Sequence, residues 1–100
     1  MSYLYDILKT FFLSFYRSMK DAIKISGIEQ YVIDFVIKLR DRHNLNQEDI
    51  ATILNVKRTF ITNVESAKNR AKYNLSHIDK LADHFGLSPR DFLPQKSTIK

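Results

Sequence analysis

From position 29 onward the chain alternates short apolar stripes at helical spacing with brief polar interruptions. Across residues 29–42, Val32, Val36 and Leu39 form one stripe, Ile33 and Ile37 a second, and Tyr31 with Phe35 a third. That spacing predicts a helix, which His43-Asn44 ends because Asn tolerates left-handed backbone. Asn46 followed by Gln47-Glu48-Asp49 reads as a helix start, with a side-chain oxygen to cap and acids in the first turn. Ile50, Ala51 and Leu54 supply the buried face of this second short helix, which closes at Asn55. A third helix is predicted from Arg58 to Ser66, burying Ile61 and Val64, and the polar, basic run from Ala67 to Lys72 reads as a loop. Ser76 is read as the cap of a fourth helix, with Ile78, Leu81, Ala82 and Phe85 facing inward and Gly86 at its end. Ser88-Pro89 opens a last short turn with Phe92-Leu93 packing back, and residues 94–100 read as a flexible polar tail.

Residues 1–26 have a different texture. Leu4, Leu8, Phe11 and Phe15, and beside them Tyr5, Phe12, Tyr16, Met19 and Ile23, recur at helical steps. The apolar surface they make is too broad for a lone helix in water. Asp6, Lys9 and Arg17 interrupt any stretch of about 18–20 apolar residues that a membrane span needs. A secretory signal is weak too, with no basic residue ahead of the apolar run and no small-residue cleavage site behind it. A helix packed on protein, an anchor on a membrane surface or partner, and a weakly ordered arm remain three readings. Met19 is also a possible internal start.

Composition narrows the field. One hundred residues allow a single compact domain with an appendage, and a 44% hydrophobic share is enough for a core. The absence of cysteine excludes disulfide scaffolds and thiolate metal sites and fits a reducing, cytoplasmic setting. Two glycines are too few for Gly-rich phosphate loops or turn-dense sheets, so the fold class expected is all-α. The net charge of +5 is uneven. Residues 57–72 carry Lys57, Arg58, Lys68, Arg70 and Lys72 against Glu65 alone, most of the excess in one short window.

That window adjoins the most informative spacing in the chain. Ala51 is small where two helices would cross closely, Asn55 occupies the turn, and Val56, Ile61 and Val64 lock a second helix against the first. Two short helices joined in this way form a helix-turn-helix, whose second helix enters the major groove of DNA. With Leu39-Arg40, Leu45-Asn46-Gln47, Glu65, Leu81-Ala82, Gly86-Leu87-Ser88 and Phe92-Leu93 in register, the chain from Glu29 to Leu93 resembles the Xre/Cro-type, lambda-repressor-like family. It departs from the family pattern at Asn55 and Ala67, where Gly is usual, and at Val64, where Ile or Leu is usual.

The resemblance implies a five-helix bundle over 29–93, here with an extra N-terminal amphipathic helix over 1–26 for docking or dimerisation. It implies a homodimer that binds double-stranded DNA without a cofactor. Carried over by position, it places Arg58, Thr59, Thr62 and Asn63 against base edges, and their chemistry suits the task. Arg pairs with guanine, Asn with adenine, and Thr offers a hydroxyl and a methyl. Gln47 at a helix N-terminus is expected at a phosphate, because free N–H groups there suit an anion. Lys57, Lys68, Asn69, Arg70 and Lys72 are expected at phosphates without regard to sequence. Phe60 either packs inward or meets a thymine methyl, with packing preferred. Glu65 is expected to pair with Arg40 or Arg42.

Catalysis has little to support it. His43, His77 and His84 read as scattered surface residues, His77 and His84 lie seven apart rather than at the spacing of a helical zinc site, and no nucleophile–base pair is visible. No metal and no membrane partner are expected. One feature exceeds the simple domain: Ile33, Phe35 and Ile37 stand where polar residues are common in the family. Left in water they would forfeit about 1.5–3 kcal/mol each, so they are expected to form an outer face covered by the N-terminal helix, of the same chain or swapped from a second subunit. The reading is a helix-turn-helix transcriptional regulator, a repressor; the alternative is an antitoxin-like or membrane-tethered adaptor acting through residues 1–26.

Overall fold

The computed structural model describes residues 25–66 and 68–99. Among them are four α-helices, α1 (Gly27–Arg42), α2 (Gln47–Leu54), α3 (Arg58–Glu65) and α4 (Leu75–Phe85), followed by a single 3-10 turn, Pro89–Phe92; no residue is in a strand. The all-helical expectation holds. The fifth element is one 3-10 turn, and the expected N-terminal helix lies outside the described residues except for Ile25 and Ser26, which are not helical.

Three of the four helix starts are fixed by a capping box. At α1 a reciprocal box joins Ser26 and Glu29: the Glu29 N–H donates to Ser26 Oγ and the Ser26 N–H to Glu29 Oε1, at 3.3 and 3.2 Å. The helix therefore begins at Gly27, two positions ahead of the predicted Glu29. Asn46 and Asp49 make the same box at α2, as the sequence indicated. At α4 the predicted cap, Ser76, is wrong. Asn74 Oδ1 accepts the His77 N–H at 2.8 Å, and His77 Nδ1 accepts the Asn74 N–H at 3.1 Å, so a histidine takes the place usually held by Glu or Gln. The helix ends at Asn55 and Gly86 are left-handed, with φ of 57° and 68°.

The core is one cluster that draws on every element. Val36, Ile50, Ile61, Leu81 and Phe92 are fully buried, and α2 packs against both α3 and α4. Much of the expected outer face of α1 is taken up by the core. Ile33 is 1% exposed, Phe35 packs at a tilt on Phe92 with ring centroids 4.8 Å apart, and Ile37 is half-buried against the same core. The 3-10 turn packs on α1 as well as α4, so a wider arc of α1 is buried than a single stripe would need. Beyond Pro94 the chain crosses the start of α1. A Cβ on Gly27 would stand 2.9 Å from Thr98 Oγ1, so the close approach depends on a residue without a side chain. No described helix is long and apolar enough to cross a membrane.

Candidate nucleic-acid interface

Two eight-residue helices and a tight turn build the site. Asn55 reverses the chain after α2, its N–H bonded back to the carbonyls of Ala51 and Thr52, and the Val56 N–H reaches the Ala51 carbonyl at 3.0 Å. Lys57 is the N-cap of α3 and supplies no side-chain cap, leaving that end of α3 open.

Helical geometry then sorts the side chains of α3. At about 100° per residue, Arg58, Thr59, Thr62 and Asn63 share an arc of about 140°, roughly opposite Ile61 and Val64. All four are exposed, while Ile61 and Val64 are 0% and 2% exposed. The four predicted base-reading residues are therefore brought together on one free face.

The two borders of that face are pinned by different chemistry. On one side Phe60 is half-buried, its ring centroid 5.2 Å from His77 and 6.2 Å from Tyr73. The preferred inward packing of Phe60 is what the structure shows. His77 and Tyr73 meet edge to face, centroids 6.1 Å apart, so His77 belongs to an aromatic cluster rather than to a scattered surface set. Burial, and secondarily the charge of Lys80, hold the His77 imidazole below the usual histidine range.

On the other border Glu65 Oε1 lies 2.8 Å from Arg40 Nη2, so of the two expected partners, Arg40 and Arg42, it takes Arg40. The same oxygen accepts Gln47 Nε2 at 3.0 Å, and Gln47 Oε1 accepts the Thr62 hydroxyl at 2.9 Å. Arg40 also donates to the Leu45 carbonyl at 3.3 Å, so α1, the α1–α2 turn, α2 and α3 are tied by one polar chain. Arg40 Nε, Glu65 Oε2 and the Tyr73 hydroxyl are buried beside this chain without hydrogen-bond partners among the described residues. Burial first, and the charge of Glu65 second, push the Tyr73 hydroxyl well above the usual phenol range.

Sequence reasoning placed Gln47 at the start of α2 but missed its bridging role. It passed over Tyr73, although an aromatic in an otherwise polar loop was a usable signal.

The basic residues divide into two groups. Among the described residues, ion pairs engage Arg40 and Lys72 but none of Lys57, Arg58, Lys68 and Arg70, all of which are exposed. Lys72 Nζ lies 2.7 Å from Glu29 Oε2, which ties it to the start of α1 and holds the Glu29 carboxyl below its ordinary value. Asn69 is half-buried, and its Oδ1 accepts the Ala71 N–H at 3.0 Å, shaping the loop from within. Ala67 lies outside the described residues. Among those residues, no three His, Asp or Glu side chains are grouped to hold a metal ion.

A family model described as Helix-turn-helix matches residues 36–92, more than half of the chain. Its span begins inside α1 and ends at the 3-10 turn, so it covers the whole core except the first turns of α1. No curated protein and no solved structure matches the chain significantly. The matched span and the two-helix geometry it contains agree: the chain belongs to the Xre/lambda-repressor-like helix-turn-helix family of DNA-binding regulatory domains.

Proposed function

We propose that this protein binds double-stranded DNA sequence-specifically and represses transcription as a homodimer, in the cytoplasm and without a cofactor. One observation carries the reading. Arg58, Thr59, Thr62 and Asn63 project together from a helix whose two borders are fastened to the rest of the fold. A reading head must be rigid as well as exposed, because a loose helix gives up discrimination to conformational entropy.

Arg58 and Asn63 provide the bidentate donors and acceptors that separate guanine and adenine from the other bases, and Thr59 adds a hydroxyl and a methyl. Thr62 already donates its hydroxyl proton to Gln47, so it offers a base an acceptor lone pair and its methyl group. Gln47 meets a phosphate through its backbone N–H at the start of α2, its side chain being engaged by Glu65 and Thr62. Lys57, Lys68, Asn69 and Arg70 supply the sequence-independent contacts, with Lys72 contributing least because Glu29 already neutralises it.

Selection of bound sequences from random duplex, followed by affinity measurements across a salt series, tests the reading. A regulator enriches a defined, two-fold-related site and loses affinity steeply as salt rises. An adaptor enriches nothing and shows no such slope.

A further inference from the structure

An open groove of about 380 Å³ lies between the start of α1, the end of the α3–α4 loop and the start of α4. Ile28, Val32, Leu75, Ile78 and Leu93 make its lining mostly apolar, and Lys72 and Glu29 form a paired lip. Leu75 is 78% exposed and Ile28 45%, and nearby on α1 Tyr31 is 42% exposed. These are large apolar side chains side by side at one end of the bundle, which a soluble domain rarely leaves uncovered. The lining does not suit a phosphate backbone, so the DNA reading does not account for it.

We propose that this groove is the docking site of residues 1–24 of the same chain. Three observations select that occupant. First, the segment ends next to the groove: Ile28 is three positions beyond Ile25, so closure needs almost no linker and carries a small entropic cost. Second, Ser26 is extended, at φ −66° and ψ 157°, and its capping box stops α1 there. Third, the segment carries the matching chemistry in Leu4, Leu8, Phe11 and Phe15, at steps of three and four. Tethering keeps its effective concentration far above that of any free partner. Of the surface expected to be covered, Ile33 is buried and Phe35 and Ile37 pack against the core, whereas Ile28 and Leu75 leave apolar surface open at the groove.

The chain has no cysteine, so Leu75→Cys in the full-length protein accepts a single benzophenone label, and the exposure of Leu75 leaves the core undisturbed. Irradiation of a mixture of isotope-labelled and unlabelled chains, read by mass spectrometry, is expected to link position 75 to a residue within 1–24 of the same chain. Adding Phe11→Asp and Phe15→Asp should cut that link about tenfold, as weakened apolar docking requires. Links that join labelled to unlabelled chains would assign the groove to a second copy and overturn the proposal. Links confined to residues 25–99, or no link at all, would overturn it equally. Circular dichroism of each variant verifies that the bundle stays folded.

Discussion

Arg40 of α1 and Glu65 at the end of α3 meet at 2.8 Å, with side chains 16% and 9% exposed, and Gln47 of α2 closes the same contact at 3.0 Å. A nearly buried carboxylate with two donors fixes how α3 leaves the bundle. Glu65→Ala strands the Arg40 guanidinium and is expected to lower unfolding free energy by about 1.5–3 kcal/mol. Glu65→Gln, which keeps an acceptor, should lose less. Urea denaturation followed by circular dichroism measures both, and an unchanged midpoint for Glu65→Ala would show that the pairing holds nothing in place.

His77 makes stability depend on pH. Its neutral Nδ1 accepts the Asn74 N–H, and its ring is half-buried against Phe60 and Tyr73. Its folded pKa is lowered from 6.5, so the unfolded chain takes up the proton first. The His77 contribution is complete above the unfolded value and is lost as pH falls from there towards the folded one. Thermal melts should therefore drop in that window, and His77→Gln, which keeps an acceptor and does not titrate, should flatten the drop. Glu29 acts lower on the scale: its pKa is lowered, chiefly by Lys72, so what it contributes fades as pH falls below the ordinary carboxylate range.

The lysine–glutamate pair also separates two basic residues that look alike in sequence. Arg70→Ala is expected to weaken binding to all duplexes alike and to flatten the salt slope by about one unit. Lys72→Ala should change the slope less, because Glu29 is its partner at 2.7 Å. Fluorescence anisotropy over a salt series distinguishes the two. Equal slopes for the two variants would place Lys72 among the phosphate contacts.

Asn55 holds φ at 57°, where a side chain without a local hydrogen-bonding group is strained. Asn55→Ala is expected to destabilise the turn by about 1 kcal/mol, and Asn55→Gly to stay within a few tenths of the parent. Thermal melts of the pair provide the check.

What the sequence revealed of the fold follows the reach of the interactions. Asn46, Asn55 and the Ile61–Val64 pair act within one or two turns of chain, so the helix-turn-helix was legible residue by residue. The position of Glu65 pointed to a pairing with Arg40 or Arg42, and only the packed helices select Arg40. The outward reading of Ile33, Phe35 and Ile37 failed because Phe35 packs on Phe92 and the 3-10 turn lies against α1, a distant element that no local period reports. The Ser76 cap failed because a histidine imidazole completes the box at Asn74, in a place where pattern reading looks for a carboxylate or amide. Gln47 was located but its partners were not, since a bridge between helices becomes visible only once α2 and α3 are packed.

The central claim is that the exposed face of α3 reads bases. It is tested most directly by measuring the affinity of the full-length protein for its selected duplex and for single-base variants of it, with Arg58→Ala and Asn63→Ala in parallel. Each substitution is predicted to cost about 1–3 kcal/mol on the selected site and to erase discrimination at one base position per half-site, leaving the salt slope nearly unchanged. If both variants keep the parent's preference at every position, α3 does not read the sequence, and the account is contradicted.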